Sequence, residues 1–228
     1  MSGSELIREY YQEHYRSAQR SGIQGWGNSL IDVRIERLTK RPAGAKVLEI
    51  GASSGEHFAF VDREPKIERY VGLDIAPGIT EPELAKKLTE AGLIELVSGD
   101  AEAIPFDDDY FDLSVSTCVL AHVANPERVY EELLRVTKPG GRIVIGMPCD
   151  PGVINRLVKV LVTYRALRKA GVDNPRLTYA REHVNAVGNL VVLARHVFRT
   201  HRFKVHYFPL LIPSWNANLA LVMTVDKV

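Results

Sequence analysis

Near the beginning of the chain stands the sequence Val47-Leu48-Glu49-Ile50-Gly51-Ala52-Ser53-Ser54-Gly55. Its first half predicts a buried strand, and its second half is a turn that carries only small side chains. Glycines at 51 and 55 let the backbone bend sharply and let a ligand lie against the main chain. The next five residues, 56–60, read as the opening of a helix, whose free N–H groups favour a ligand with negative charge. This strand–turn–helix unit is typical of the nucleotide-binding half of a doubly wound sheet.

The turn alone fits two interpretations, a nucleotide site or a tight turn without a ligand. A dinucleotide fingerprint requires G-x-G-x-x-G, whereas this turn reads G-x-x-x-G, with Ser53 where the middle glycine would stand. The missing spacing disfavours an NAD-dependent oxidoreductase.

Further strands and helices alternate after this unit. The second predicted strand, Arg69–Leu73, ends in Asp74, 25 residues beyond Glu49, where a doubly wound fold presents an acid to ribose hydroxyls. A carboxylate accepts hydrogen bonds from both hydroxyls of the diol. The alternative for Asp74 is an ordinary aspartate at the end of a strand. Later strands are predicted at 94–97, 113–117, 142–147, 203–208 and 219–225, with helices at 83–91 and 126–136.

Three features occur in order along the chain: an acid after the second strand, Gly99-Asp100 after the third and Lys138-Pro139-Gly140-Gly141 before the fifth. In this order the sequence resembles the class I S-adenosylmethionine-dependent methyltransferases, particularly the type 11 methyltransferase-domain group. The resemblance covers residues 44–148. It implies an α/β fold, a doubly wound, Rossmann-like sheet of seven mostly parallel strands, with S-adenosylmethionine as the cofactor.

The resemblance also implies roles for individual residues. Glu49 and Gly51 begin the family's glycine-rich turn and Gly55 closes it, while Ser53 replaces its usual middle glycine. Asp74 is similar to the ribose ligand and Asp100 to the acceptor of the adenine amino group. The full set of expected cofactor-binding residues is Glu49, Gly51, Ala52, Ser53, Gly55, Asp74, Ile75, Asp100, Ala101, Thr117 and Cys118.

The 228 residues are expected to form a single methyltransferase domain. Its parts are a helical cap at 1–43, a cofactor-binding core at 44–148, a helical insertion on the substrate side at 149–202, and the last two strands at 203–228. In the cap we expect a helix at 4–18, a loop at 22–28 and a second helix. In the insertion, Val153, Leu157, Val160, Leu161 and Tyr164 define an apolar face opposite Lys159, Arg165 and Lys169.

Charge is distributed unevenly although the formal net charge is only +1. Residues 1–150 hold 17 Lys/Arg against 25 Asp/Glu, a net charge of −8, and residues 151–206 hold 11 against 2, a net charge of +9. The basic block favours an anionic acceptor or is a solvated surface. Arg181 is the strongest candidate in it for binding the acceptor. Three aromatic residues of the cap either pack it or cover the substrate: Tyr11, Tyr15 and Trp26.

The sequence has no signal peptide and no apolar run long enough to span a bilayer, and its two cysteines form no metal or disulfide pattern. We therefore expect a cytoplasmic protein without a membrane partner. The acidic turn 107–109 lacks the alternating spacing of a calcium loop, so no metal site is predicted. The sequence leaves the oligomeric state open.

Two histidines are candidates for catalysis. His122 lies just past the cofactor strand, where the family often has a histidine that shapes the site. His183 lies in the insertion and could reach the acceptor, although a histidine at such a position is also a common cap or surface residue. Because the methyl group of a sulfonium is already activated, a base is needed only to remove the acceptor's proton.

The predicted function is methyl transfer to an oxygen or nitrogen of a small molecule, with phosphate-bearing sugars, nucleosides and natural-product intermediates as acceptor classes. The alternatives are a protein of the same fold that catalyses a step other than methylation, and a nucleic-acid methyltransferase. The last is disfavoured because no aromatic-flanked motif for a target base is evident.

Overall fold

The computed structural model describes residues 23–62, 64–169, 171–210 and 212–228, so the expected helix at 4–18 lies outside the described residues. Seven strands form one sheet: β1 (Ala45–Ile50), β2 (Ile67–Asp74), β3 (Glu95–Ser98), β4 (Phe111–Thr117), β5 (Thr137–Pro148), β6 (Arg202–Phe208) and β7 (Ala220–Asp226). Their order across the sheet is β3-β2-β1-β4-β5-β7-β6. Strand β7 pairs antiparallel with both β5 and β6, and the other strand pairs in the described residues are parallel. The predicted seven-stranded, mostly parallel sheet is confirmed.

Helices cover both faces of the sheet. They are α1 (Ile23–Leu38), α2 (Pro82–Glu90), α3 (Pro126–Val136), α4 (Val153–Val158), α5 (Tyr164–Lys169), α6 (Pro175–Glu182) and α7 (Val187–Val197). A π-helical turn, Lys159–Thr163, joins α4 to α5 and makes one continuous helix, which we call the insertion helix. In the part of the chain with assigned positions, no helix is long and apolar enough to cross a membrane.

The strands are apolar along their length because they are buried on both faces. On β1, Val47 and Leu48 point to opposite sides of the sheet, and each is at most 1% exposed. Val47 packs in the cluster that contains Ile35 of α1, whereas Leu48 packs in the cluster that contains Tyr130 and Leu133 of α3. Burial of such an aliphatic side chain contributes about 1.5–3 kcal/mol, so β1 is anchored from both sides.

Two helices begin with the same pair of residues, Asn-Pro. The Asn125 side chain accepts a hydrogen bond from the Arg128 N–H at 3.1 Å, and the Asn174 side chain accepts one from the Leu177 N–H at 3.2 Å. Proline then occupies the first helical position, where its missing N–H costs nothing. The Asn-Pro pair therefore marks the start of both α3 and α6.

Two local predictions near the turn were wrong. The expected loop at 22–28 is helical from residue 23, because α1 packs tightly on the sheet: a side chain on Gly146 of β5 would meet Ile35 Cδ1 at 2.6 Å. The expected helix after Gly55 is only a five-residue 3₁₀ turn, Glu56–Phe60, which ends where Val61 becomes extended. A turn this short gives no helix N-terminus for an anion.

The insertion helix faces opposite to the expectation. Its buried positions are spaced by four residues: Asn155, Lys159, Thr163 and Leu167. The predicted apolar face is instead largely in solvent, with Val153 67%, Leu157 57% and Leu161 47% exposed. The helical period was predicted correctly, but the side that packs on the protein was not.

We expect Gly51→Ala to destabilise the protein far more than Gly44→Ala. Both glycines have left-handed backbone, with φ of 68° and 72°, so alanine pays about 1 kcal/mol of conformational strain at either position. A Cβ at position 51 would also lie 2.0 Å from Val119 Cγ2, whereas position 44 has nothing within 4 Å. That overlap should add about 1–3 kcal/mol. Urea denaturation of the two variants measures the difference, and equal losses would contradict the steric account.

Candidate active site

The turn after β1 is held by the carboxylate of Asp74 at the end of β2. Asp74 Oδ2 accepts a hydrogen bond from the Ser53 N–H at 2.9 Å, and Oδ1 accepts one from the Ala76 N–H at 2.8 Å. The Gly51 N–H donates to the Leu73 carbonyl at 2.7 Å, which ties the same two strand ends together. A carboxylate has about four acceptor positions, so two remain for other donors. Asp74 thus has a structural role and retains the capacity to bind a diol.

Ser53 adopts the left-handed conformation with φ of 50°, where glycine is usual. Its hydroxyl lies 2.6 Å from Thr80 Oγ1, and the Ser54 hydroxyl lies 2.9 Å from the same atom. The Ser54 Oγ in turn accepts a hydrogen bond from the Glu81 N–H at 2.7 Å. These contacts compensate for the strained backbone and fix the shape of the turn.

The remaining cofactor candidates lie along the same edge of the sheet, because the carboxyl ends of parallel strands meet there. Asp100 follows β3 and caps its own loop, with Oδ1 accepting from the Glu102 N–H at 2.8 Å. Ile75 is 75% exposed beside Asp74, which leaves an uncovered apolar surface. At the end of β4, the Thr117 hydroxyl is buried without a described hydrogen-bond partner. An exposed apolar side chain and an unpartnered buried hydroxyl fit a bound molecule with apolar and polar parts.

A buried charged network lies directly behind the turn, and no motif in the sequence indicates it. His57 Nδ1 lies 2.9 Å from Asp32 Oδ1, and His57 Nε2 lies 3.5 Å from Glu36 Oε1, both on α1. Burial lowers the pKa of His57, but the hydrogen bonds to these two acids and the charge of Glu49 outweigh it and raise the pKa to about 10. His57 is therefore a buried cation that joins α1 to the turn.

Glu49 is the second titratable group of this network, and its side chain is 2% exposed. The Tyr70 hydroxyl donates a hydrogen bond to Glu49 Oε2 at 2.8 Å. Burial raises the pKa of Glu49 to about 7, while His57 and the bond from Tyr70 oppose a larger rise. The expected cofactor residue Glu49 therefore changes charge near neutral pH.

A second polar cluster, which we call the acceptor cluster, lies at the carboxyl ends of β4 and β5. Asp150, two residues after β5, forms an ion pair with Lys159 of the insertion helix, and its Oδ2 lies 3.4 Å from His183 Nδ1. Tyr179 of α6 stacks on His183 with ring centroids 3.8 Å apart, and Lys159 Nζ lies 3.8 Å from the centre of the Tyr179 ring. Burial lowers the pKa of His183, and Asp150 opposes this shift by stabilising the protonated ring.

The two predicted catalytic histidines lie side by side at this cluster. The His122 and His183 rings meet edge to face with centroids 4.6 Å apart. His122 Nδ1 lies 2.9 Å from the Glu182 carbonyl oxygen, so this nitrogen is the donor and Nε2 has the lone pair. Desolvation of the ring is the main cause that lowers the pKa of His122, and the nearby His183 lowers it further. Part of the residue is nevertheless exposed to solvent. His183, supported by a carboxylate, is the better base of the two.

The other predicted site residues do not belong to the two polar clusters described above. Arg181 is exposed on α6, with no hydrogen bond or ion pair to another residue in the described ranges. Trp26 lies in α1, whereas Tyr11 and Tyr15 lie outside the described residues. Burial raises the pKa of Cys118 to about 12, so it is a neutral thiol at this edge. Among residues with described side chains, no group of His, Cys, Asp and Glu could hold a metal ion.

Asp150, Lys159 and Tyr179 were missed by the sequence analysis. Asp150 carried a usable signal, since it follows the carboxyl end of a strand as Asp74 and Asp100 do. No sequence signal identified Lys159 and Tyr179 as site residues, because the contact between their side chains depends on how the insertion folds back over the sheet.

We expect the free energy of unfolding to fall by on the order of 3 kcal/mol between pH 7 and pH 10 through His57 alone. The pKa of His57 is raised above its unfolded value of 6.5 to about 10, so its stabilisation is complete below 6.5 and is lost as the pH rises through 10. Glu49 contributes its own decrease at lower pH, as the pH rises from 4.5 through about 7.

Urea denaturation at pH 7 and pH 10 of the native protein, His57→Gln and the exposed-site control His196→Gln isolates this contribution. The decrease in the free energy of unfolding from pH 7 to pH 10 should become smaller only in His57→Gln. Nitrogen NMR of the His57 ring at pH 8 gives a direct reading without a variant, and a neutral ring there would refute the buried cation.

Residues 48–145 match a family model described as a methyltransferase domain. A demethylmenaquinone methyltransferase from Clavibacter sepedonicus is 37% identical over 118 residues, covering 52% of this chain and 47% of that protein. A ubiquinone/menaquinone biosynthesis C-methyltransferase from Idiomarina loihiensis is 35% identical over 130 residues, covering 52% of this chain and 51% of that protein. The chain therefore spans about half the length of these curated relatives.

Solved structures share the fold over nearly the whole chain. A Thermotoga maritima protein described as an S-adenosylmethionine-dependent methyltransferase, possible histamine N-methyltransferase, has a TM-score of 0.63 at 17% identity and covers 98% of this chain and 99% of its own. The [4+2]-cyclase SpnF has a TM-score of 0.60 at 16% identity and covers 92% of this chain and 84% of its own. At such low identity these likenesses concern the fold.

Proposed function

We propose that this chain, which carries a class I S-adenosylmethionine-dependent methyltransferase domain of the type 11 group, transfers a methyl group to an oxygen or nitrogen of a small molecule. The observation that carries the proposal is the acceptor cluster, which puts a carboxylate-supported histidine beside the edge of the sheet that holds the cofactor candidates. S-adenosylmethionine is the cofactor of such a domain, and when bound it supplies a methyl group on an already activated sulfonium.

The residues at the sheet edge suit the parts of that cofactor. Asp74 has acceptor positions left for the ribose hydroxyls, and the exposed side chain of Ile75 offers an apolar surface to the adenine. Asp100 can accept from the adenine amino group. The unpartnered Thr117 hydroxyl at the end of β4, next to Cys118, gives the methionine part a polar contact. Residues 51–55 carry only small side chains, which suits a ligand that lies close to the main chain.

His183 is the residue that we assign to proton removal from the acceptor. We assign its ring proton to Nδ1, the nitrogen 3.4 Å from Asp150 Oδ2, which leaves the lone pair on Nε2 to accept the proton. Asp150 is a positioning residue, because it stabilises the protonated ring without contacting the acceptor. His122 and Tyr179 hold the ring of His183 in place through their packing on it.

The positive charge of residues 151–206 narrows the chemistry of the acceptor. The exposed Arg181 and the basic block suit an acceptor that carries a phosphate or another anion. The two free cysteines are compatible with a reducing compartment such as the cytoplasm. Because a [4+2]-cyclase shares this fold, methyl transfer by this chain requires direct detection of the methylated product.

A carbon acceptor is a second candidate, favoured by relatives named as C-methyltransferases. Removal of a proton from a phenolic hydroxyl places negative charge on the oxygen and on ring carbons, so one base serves either atom. Carbon NMR of the product made with labelled methyl donor distinguishes O-, N- and C-methyl groups.

Asp74→Ala should weaken binding of S-adenosylhomocysteine by about 1–3 kcal/mol, because the ribose hydroxyls lose a charged acceptor. The matched control is Asp112→Ala, since Asp112 also accepts a backbone N–H, that of Lys46, but at the opposite end of the strands. Calorimetry should give roughly micromolar affinity for the native protein, a few kcal/mol tighter than for NAD. Saturable NAD binding without S-adenosylhomocysteine binding would refute the cofactor assignment.

His183→Gln should lower kcat by about 10²–10⁴-fold with nearly unchanged cofactor affinity, because it removes the base and leaves the cofactor edge intact. Asp150→Asn should lower the pKa of His183 and shift the acid limb of the kcat profile to lower pH. Release of S-adenosylhomocysteine with the acceptor present is the readout, and His196→Gln, at an exposed position of α7, is the control. Full activity in His183→Gln would assign the cluster a purely structural role.

A further inference from the structure

The insertion helix presents its apolar side to solvent. Val153, Leu157, Val160 and Leu161 are 67%, 57%, 39% and 47% exposed, and they are spaced so as to share one side of a helix. We call this side the apolar stripe. Exposed aliphatic residues scattered singly are ordinary, but four on one helical face form a patch that marks an interaction site.

The apolar side of the insertion helix faces solvent because the inner side makes specific polar contacts. Lys159 is 8% exposed and pairs with Asp150, while the Asn155 side-chain amide donates to the Leu219 carbonyl at 3.1 Å. The polar side of the helix is therefore committed to the acceptor cluster and to the sheet. The apolar stripe is consequently left largely in solvent in the part of the chain that the structure describes.

Basic side chains flank the apolar stripe. Arg156, Arg165, Arg168 and Lys169 are exposed and form no ion pair with a residue of the described ranges. No acidic residue occurs between positions 151 and 172. An apolar centre with cationic borders is the pattern of helices that lie in the interface of an anionic membrane.

We propose that the insertion helix docks in the plane of a bilayer surface that contains anionic lipids, with the apolar stripe in the interface and the flanking arginines at the headgroups. A second copy of the chain suits this face poorly, because two such basic borders would repel each other. A nucleic acid would pair with the charges but leave the apolar stripe in water. Lying on a membrane requires no spanning segment, so the proposal is consistent with the helix lengths.

Docking would place the acceptor cluster close to the membrane. Lys159 lies on the inner side of the insertion helix, whose outer side carries the apolar stripe, and the ring of Tyr179 on α6 lies against Lys159. A helix with its side chains is about 10–12 Å across, so one helix thickness would separate the cluster from the lipid headgroups.

The test is flotation of the full chain with vesicles of phosphatidylcholine alone and of equal parts phosphatidylcholine and phosphatidylglycerol. Binding is expected only to the anionic vesicles and should weaken at high salt, because surface charges are screened. The double variant Leu157→Gln/Leu161→Gln should bind the anionic vesicles at least about tenfold more weakly than the native protein. The same loss is expected for Arg165→Gln/Arg168→Gln. Calorimetry with S-adenosylhomocysteine confirms that each variant is folded.

Two controls separate docking from general attraction. Arg202→Gln/Lys204→Gln removes two exposed charges on the edge strand β6, and Val192→Gln removes an aliphatic residue of α7 that is 65% exposed. Both should bind like the native protein. The proposal is overturned if the native protein ignores anionic vesicles or if the controls lose as much binding as the stripe variants. It is also overturned if sedimentation shows a dimer that only the stripe variants lose.

Discussion

The turn that follows β1 depends on a buried positive charge. His57 stands between Asp32 and Glu36 on one side and Glu49 on the other, and the acids outnumber it. An isolated buried ion would cost several kcal/mol, so the arrangement is stable only while the partners stay in place. The shape of the turn therefore depends on helix α1, although α1 contributes no residue to the turn itself.

On its other side the same turn is fixed by Asp74, whose two oxygens accept backbone N–H groups from residues on both sides of the β1–β2 crevice. The turn is thus defined by carboxylates and a histidine as well as by its glycines. This explains why Ser53 is tolerated where a glycine is usual: its hydrogen bond to Thr80 compensates for a left-handed backbone.

Features that depend on local order along the chain were predictable from the sequence. The strands, α3, and the acids Asp74 and Asp100 were located because a strand end in a parallel sheet has a known place. The insertion helix shows the limit: a period of 3.6 identifies an apolar side but does not say which side packs on the protein. His57 and Lys159 could not be predicted, because the partners that define them, Asp32 and Asp150, come from distant parts of the chain or from a fold-back.

The π-helical turn at Lys159–Thr163 lets the insertion helix tolerate one particular change in chain length. Such a turn holds one residue more than an α-helical turn, so a deletion of one residue there would leave a regular helix. Because the wide turn completes about one rotation with its extra residue, the segments on either side would keep nearly the same faces, and Asn155 would still reach the Leu219 carbonyl. A deletion of one residue in a regular α-helical part would instead rotate everything before it by about 100° about the helix axis and turn different side chains toward the sheet. Loss of three nucleotides within the π-helical turn should therefore leave this wall of the site in place, whereas the same loss elsewhere in the helix should displace it.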